Sequence, residues 1–97
     1  MIVRTTKQLR GTEREVHAPT WSSTRLLLCK DGMGFSFHET IIRAGTETRM
    51  WYKHHVEAVY CIEGEGTLED LTDGQTYRIE PGMMYALNNH ERHVVRA

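Results

Sequence analysis

"AGTETRMWYKHHVEAVYCIEGEG", residues 44–66, decides how the chain is read. A polar cluster of Tyr52, Lys53, His54, His55 and Glu57 runs into an apolar stretch, VEAVYCIEG, that stops at Gly64 and Gly66. β-branched and aromatic residues suit a pleated, half-buried strand, and glycines mark its end. Glu57, Val59 and Cys61 then share one face, because successive side chains on a strand alternate. If the strand extends upstream of Glu57, His55 joins that face and His54 the other.

The same pattern continues on both sides. Upstream, STRLLLCK is a β-rich run stopped by Asp31-Gly32, and GFSFHETIIRAG alternates: Phe35, Phe37 and Ile41 on one parity, Ser36, His38 and Thr40 on the other. Downstream, TLEDL, then Thr72-Asp73-Gly74-Gln75, then TYRIE reads as a hairpin around an Asp-Gly turn. Pro81-Gly82 is a further turn, and MMYAL and HVVRA are short strands separated by NNHER. Tyr85 shares a parity with Met83 and Leu87, and His93 with Val95. The one helical segment lies near the start, over residues 6–14. Short strands with turn residues every eight to twelve positions predict an all-β sandwich or small barrel, whose mouth is a natural ligand site.

Composition narrows the function classes. The chain has 97 residues, 39% hydrophobic and 26% charged, which fits one globular domain spanning 1–97. Twelve basic and thirteen acidic residues leave a net charge of −1, which favours neither nucleic acid nor an anionic membrane as partner. No apolar run approaches the roughly 18 residues of a membrane span. The opening MIVRTTKQLR lacks the apolar core of a signal peptide. Cys29 and Cys61 sit inside apolar runs, and the expectation is two buried free thiols in a cytoplasmic protein. His17 and His90 are expected at the surface.

Spacing adds chemistry. From Gly45, five residues lead to Trp51, one separates it from Lys53, three more reach Glu57 and six more reach Gly64. This resembles the first cupin motif, G-x5-H-x-H-x3-E-x6-G, with both histidines replaced. From Gly82, five residues lead to Asn88, and His90, His93 and Ala97 follow at the spacings of the second motif, G-x5-P-x-G-x2-H-x3-N. There the glycine and the histidine match, and the proline, inner glycine and asparagine do not. A divalent metal in a barrel needs three or four inward side chains from different strands. If their parities point inward, Glu57, Tyr85 and His93 converge on one metal. One imidazole with oxygen ligands suits Fe(II), with Zn(II) next. The plainer readings are a strand-end carboxylate for Glu57, a core ring for Tyr85 and a loop histidine for His93.

The resemblance extends further. MIVRTTKQLRGTEREV, WSSTRLLLCKDGMGFSFHETII, AGTETRMWYKHHVEAVYCIEGEGTLEDL and YRIEPGMMYALNNHERHVVRA together resemble the ectoine synthase family over essentially the whole chain. That resemblance implies a small, jelly-roll-like cupin barrel and a homodimer. It also implies a hydro-lyase that closes N-γ-acetyl-L-2,4-diaminobutyrate into the compatible solute ectoine. It implies iron held by Glu57, Tyr85 and His93 and substrate contacts from Trp21, Arg25, Thr40, Tyr52 and His55; by their chemistry, Tyr85 and His55 are candidate proton carriers. Trp51 stands where a histidine is expected. Family members continue past HVVRA with a further strand and a tail that helps cover the substrate. The expectation for residues 1–97 is therefore a barrel short of its last strand. The competing reading is a cupin that binds a metal or small molecule without catalysis.

Overall fold

The computed structural model describes residues 1–97. The chain divides into two compact units, Met1–Arg43 and Ala44–Ala97, and all its strand pairs are antiparallel.

The first unit contains a one-turn helix α1 (Thr6–Leu9) and strands β1 (Glu15–His17), β2 (Trp21–Leu27) and β3 (Phe37–Ile42), in the order β1-β2-β3. The helix is shorter than its sequence suggests. Thr5 and Gln8 form a reciprocal capping box, satisfying two otherwise free amides, but the residue after Leu9 is already extended. No side chain of α1 is buried, so no packing holds a second turn. After β2 the chain tightens into a 3-10 turn, Cys29–Asp31. Asp31 is the anchor here: Arg4 and Arg14 each place two guanidinium nitrogens on its carboxylate, at 3.0–3.2 Å. Its Oδ2 also accepts the Leu28 amide. These charge-assisted bonds, Arg14's first, hold the Asp31 carboxyl well below the usual carboxylate range.

The second unit carries β4 (Glu47–Trp51), β5 (Glu57–Tyr60), β6 (Gly66–Asp70), β7 (Thr76–Ile79), β8 (Met84–Leu87) and β9 (Arg92–Arg96). One sheet runs β4-β9-β6-β7, and β5 pairs with β8. The predicted hairpin is β6–β7, with Gly74 at φ 75° in its turn, a conformation other L-residues rarely adopt. Gly66 begins β6 because a Cβ there would collide with the Arg96 carbonyl of the neighbouring strand. Leu68, Leu87, Val94 and Val95 are the buried apolar residues. One face of the sheet carries an ion ladder in which Arg96 bridges Glu47 (3.0 Å) and Glu69 (2.9 Å).

Two further expectations change. Cys29 and Cys61 are free, but Cys29 is exposed and Cys61 only half-buried. Cys29 opens the 3-10 turn rather than continuing the strand, so the apolar run LLLC does not stay in a sheet. Strand β5 starts at Glu57, so His54 and His55 belong to the preceding loop and not to a strand face.

Candidate active site

In the second unit, strand register brings three predicted ligands into one neighbourhood. Glu57 lies opposite Leu87 and Val59 opposite Tyr85, so Glu57 and Tyr85 share one face of the β5–β8 ribbon. The alternate residues Tyr60 and Met84 are exposed, as the parity requires. His93 sits in the middle of its sheet, opposite Met50 on β4 and Asp70 on β6, with 1% of its surface exposed. The Tyr85 and His93 rings meet edge-on with centroids 6.5 Å apart. Tyr52 comes within 5.7 Å of the His93 ring and 4.8 Å of the His55 ring. The Glu57 carboxylate faces both phenols. Burial first, then this negative charge, pushes the Tyr85 phenol up to about 12, and Tyr52 is raised further by the same two causes. The Tyr52 hydroxyl lies 3.2 Å from the Met50 sulfur.

The chemistry of His93 bears on whether a metal fits. Its Nδ1–H donates to the Glu91 carbonyl at 3.1 Å, which leaves the lone pair on Nε2. Nε2 is buried without a hydrogen-bond partner. Buried polar atoms are rarely left so, and an imidazole held by one nitrogen with the other free is the form that ligates metals. No three His, Cys, Asp or Glu side chains gather into a metal-binding group anywhere in the chain. A metal at this place therefore depends on Tyr85 as an oxygen ligand beside Glu57 and His93. A bound cation would lower the phenol's pKa and remove its repulsion from Glu57. On these grounds the donor set fits a metal. Tyr85 and His93 also line a cavity of about 240 Å³ with Leu68, Asp70, Met83 and Leu87; Glu57 is not among its walls. A larger hollow of about 480 Å³ over Glu65–Thr67 and Thr76–Arg78 is wide open and holds no comparable cluster.

The first unit gathers the other predicted residues. Trp21, Ser23 and Arg25 alternate along β2 opposite Ile42, Thr40 and His38 on β3, so all six share a face. The buried Ser23 hydroxyl is hydrogen-bonded to that of Thr40. Arg25 Nε is the second buried side-chain nitrogen without a partner. Burial first, and then the Arg25 charge, lowers the pKa of His38. Trp21, Arg25 and Thr40 are thus brought together, as are Glu57, Tyr85, His93, Tyr52 and His55 in their own unit.

The sequence pattern missed two residues here. Ser23 was legible from the Trp21-x-Ser23-x-Arg25 alternation. His90 was not. It is exposed, as expected, but has φ 55°, uncommon outside glycine, and its Nδ1 bonds the Tyr52 carbonyl at 2.8 Å. His17 is a surface residue paired with Glu15 at 2.8 Å.

Comparison with known proteins gives the family and the fold. The family model described as "Ectoine synthase" matches residues 1–97. An L-ectoine synthase of Desulfosudis oleivorans is 65% identical over 96 residues, which is 99% of this chain and 74% of that protein. One of Nocardia farcinica is 58% identical over 97 residues, covering 100% of this chain and 74% of the relative. The crystal structure of ectoine synthase from P. lautus superposes with a TM-score of 0.96 at 59% identity, covering 100% of this chain and 70% of that one. The antiparallel, all-β architecture is accordingly of cupin type. The chain belongs to the ectoine synthase family and is, with it, a lyase of the hydro-lyase type.

Proposed function

We propose that this chain, as one cupin domain over residues 1–97, closes N-γ-acetyl-L-2,4-diaminobutyrate into ectoine with loss of water. The observation that carries the reading is the unpartnered, buried Nε2 of His93, in a ring 6.5 Å from that of Tyr85, in a chain that the family model matches over residues 1–97. The free amine of the substrate attacks its own acetamide carbonyl carbon. A C–N bond forms and becomes C=N as the carbonyl C–O bond breaks, and the oxygen leaves as water with two protons that come from the substrate nitrogens and are relayed by neighbouring acid–base groups. Glu57, Tyr85 and His93 are the residues that would hold the metal, Fe(II) first and Zn(II) second. When bound, the metal supplies Lewis acidity toward the acetamide oxygen.

The protein's own groups do the rest. In the first unit, Arg25, whose buried Nε has no partner, is the group proposed for the substrate carboxylate, with Thr40 on the same strand face. Trp21 supplies an apolar wall. In the second unit, the Tyr52 and His55 rings lie tilted against one another with centroids 4.8 Å apart, and they are the groups proposed to contact the substrate there. Tyr85 and His55 are the groups placed to move protons. The family's homodimer is the assembly we propose, with Phe35, Phe37 and Ile41 at its interface; they are 53%, 57% and 59% exposed in the single chain. A cytoplasmic location is part of the proposal. Incubation of metal-loaded protein with N-γ-acetyl-L-2,4-diaminobutyrate, followed by chromatography, tests the reading. Ectoine formation supports it, and unchanged substrate in the presence of bound metal refutes it.

A further inference from the structure

The indole of Trp51 is held between two cations. Arg92 Cζ lies 3.9 Å from its ring centroid and Lys53 Nζ 4.2 Å. Arg92 is its partner across the β4–β9 ladder and precedes His93, whereas Lys53 is in the loop that follows β4. Two hydrogen bonds close the same junction. Trp51 Nε1–H donates to the His90 carbonyl at 3.0 Å, and His90 Nδ1 bonds the Tyr52 carbonyl at 2.8 Å. His90 makes both contacts from a left-handed backbone conformation, φ 55°, that a histidine adopts at some cost. The loop bearing Tyr52 and His55 is thereby tied to the turn that leads into His93, by one aromatic ring and one strained residue. The exposed Lys53, His54 and His55 precede β5 and belong to no strand, while the Tyr52 side chain adds contacts with Met50, His55 and His93.

We propose that Trp51 and His90 form a clasp that pre-orders the loop of residues 52–55, and that Trp51 is a positioning residue for the Tyr52–His55 pair. This rests on the reading that Tyr52 and His55 hold the substrate. A position occupied by a ligand histidine in the first cupin motif has become a mechanical tie here. Its consequence is specific. A loosened loop must be ordered by the substrate itself, so apparent affinity falls while the saturated enzyme works nearly as before. Loss of fold would do the opposite, lowering kcat by removing active molecules and leaving KM alone.

The test uses the metal-loaded full chain and its Trp51→Leu, Trp51→Phe and His90→Asn variants. His90→Asn keeps a residue that tolerates the left-handed conformation and removes the ring bond, which covers the case where Trp51→Leu fails to fold. Second-timescale amide exchange is followed in peptides covering residues 51–56, with metal per chain and steady-state kinetics on the same samples. We expect faster exchange in Trp51→Leu and His90→Asn, unchanged metal content, and KM raised fivefold or more with kcat within twofold. Trp51→Phe, which keeps a ring face for both cations, recovers part of the KM. Unchanged exchange overturns the clasp. Faster exchange with unchanged KM, or with a fall in kcat alone, overturns the positioning role. A parent protein that forms no ectoine refutes the proposed function, and exchange still decides whether the clasp exists.

Discussion

Replacing His93 by alanine separates the metal's contribution to stability from that of the surrounding packing. The two terms run in opposite directions in the metal-free protein. Nε2 is buried without a partner, and removing such a group relieves about 1–3 kcal/mol of desolvation cost. Against this, the Nδ1–H bond to the Glu91 carbonyl is lost, about 1 kcal/mol, and the vacated ring leaves a hole in the sheet's buried face. The metal-free variant and parent should therefore melt within a few degrees of each other. The metal-loaded forms should not. A ligand present at about a hundred times its Kd stabilises the folded state by about 2.7 kcal/mol. For a chain of 97 residues each kcal/mol shifts Tm by about 4–8 °C, so saturating Fe(II) or Zn(II) should raise the parent's Tm by about 10–20 °C. In His93→Ala that rise should vanish, because alanine offers no lone pair. Anaerobic thermal melts with and without metal, with metal analysis on the same samples, give both quantities. Equal metal content and an equal rise in the two proteins would refute the ligand assignment. Trp51→His should keep the parent's metal content; a gain there would mean that the two-histidine cupin site can be rebuilt and that the ligand set is wrong.

Arg25→Ala should raise KM by about ten- to hundredfold, the equivalent of a charged hydrogen bond of about 1.5–3 kcal/mol, because the unpartnered Nε is the proposed carboxylate anchor; a KM within twofold of the parent in the ectoine assay removes it from the site. Asp31 has a depressed carboxyl, so the stability it gives is complete above its ordinary value near 3.8 and is lost as pH falls below that. Asp31→Asn should lower Tm at pH 7 and flatten the acid limb of Tm against pH, and parallel curves for the two proteins would contradict this. His38 also has a lowered folded pKa, so the unfolded chain takes up its proton first and stability drops as pH falls below about 6.5. His38→Gln should remove that part of the decline, and thermal melts between pH 7.5 and 5 that superpose would show that His38 has no part in it. Light scattering at micromolar concentration should give a dimer mass for the parent and a monomer mass for Phe37→Glu, whose exposed ring lies in the proposed interface; a monomeric parent ends that assignment.

Alternation along a strand is a local property, and it was enough to place the faces. Glu57 with Val59, Tyr85 with Leu87, and His93 with Val95 follow from a side-chain period of two, and the register confirms each pair of neighbours. The Asp-Gly turn of β6–β7 was legible for the same kind of reason, since glycine tolerates the positive φ that the turn requires and other residues rarely do. The spacing of Gly45, Glu57, Gly64, Gly82 and His93 marked the family frame without any coordinates. What depends on partners distant in sequence was not legible. Strand β4 has weak local signals, and it is a strand because β9 pairs with it from Glu47↔Arg96 to Trp51↔Arg92. The helix at the start stopped after one turn because nothing packs on it. His90 read as a surface histidine, and only the folded chain brings its carbonyl to Trp51 and its ring to Tyr52, 38 residues earlier. The unpartnered Nε2 of His93 likewise exists only after folding. Burial removes the water that would have bonded it, and the Glu91 carbonyl, by accepting the Nδ1–H hydrogen bond, leaves the lone pair on Nε2 of a ring that neighbours Tyr52 and Tyr85.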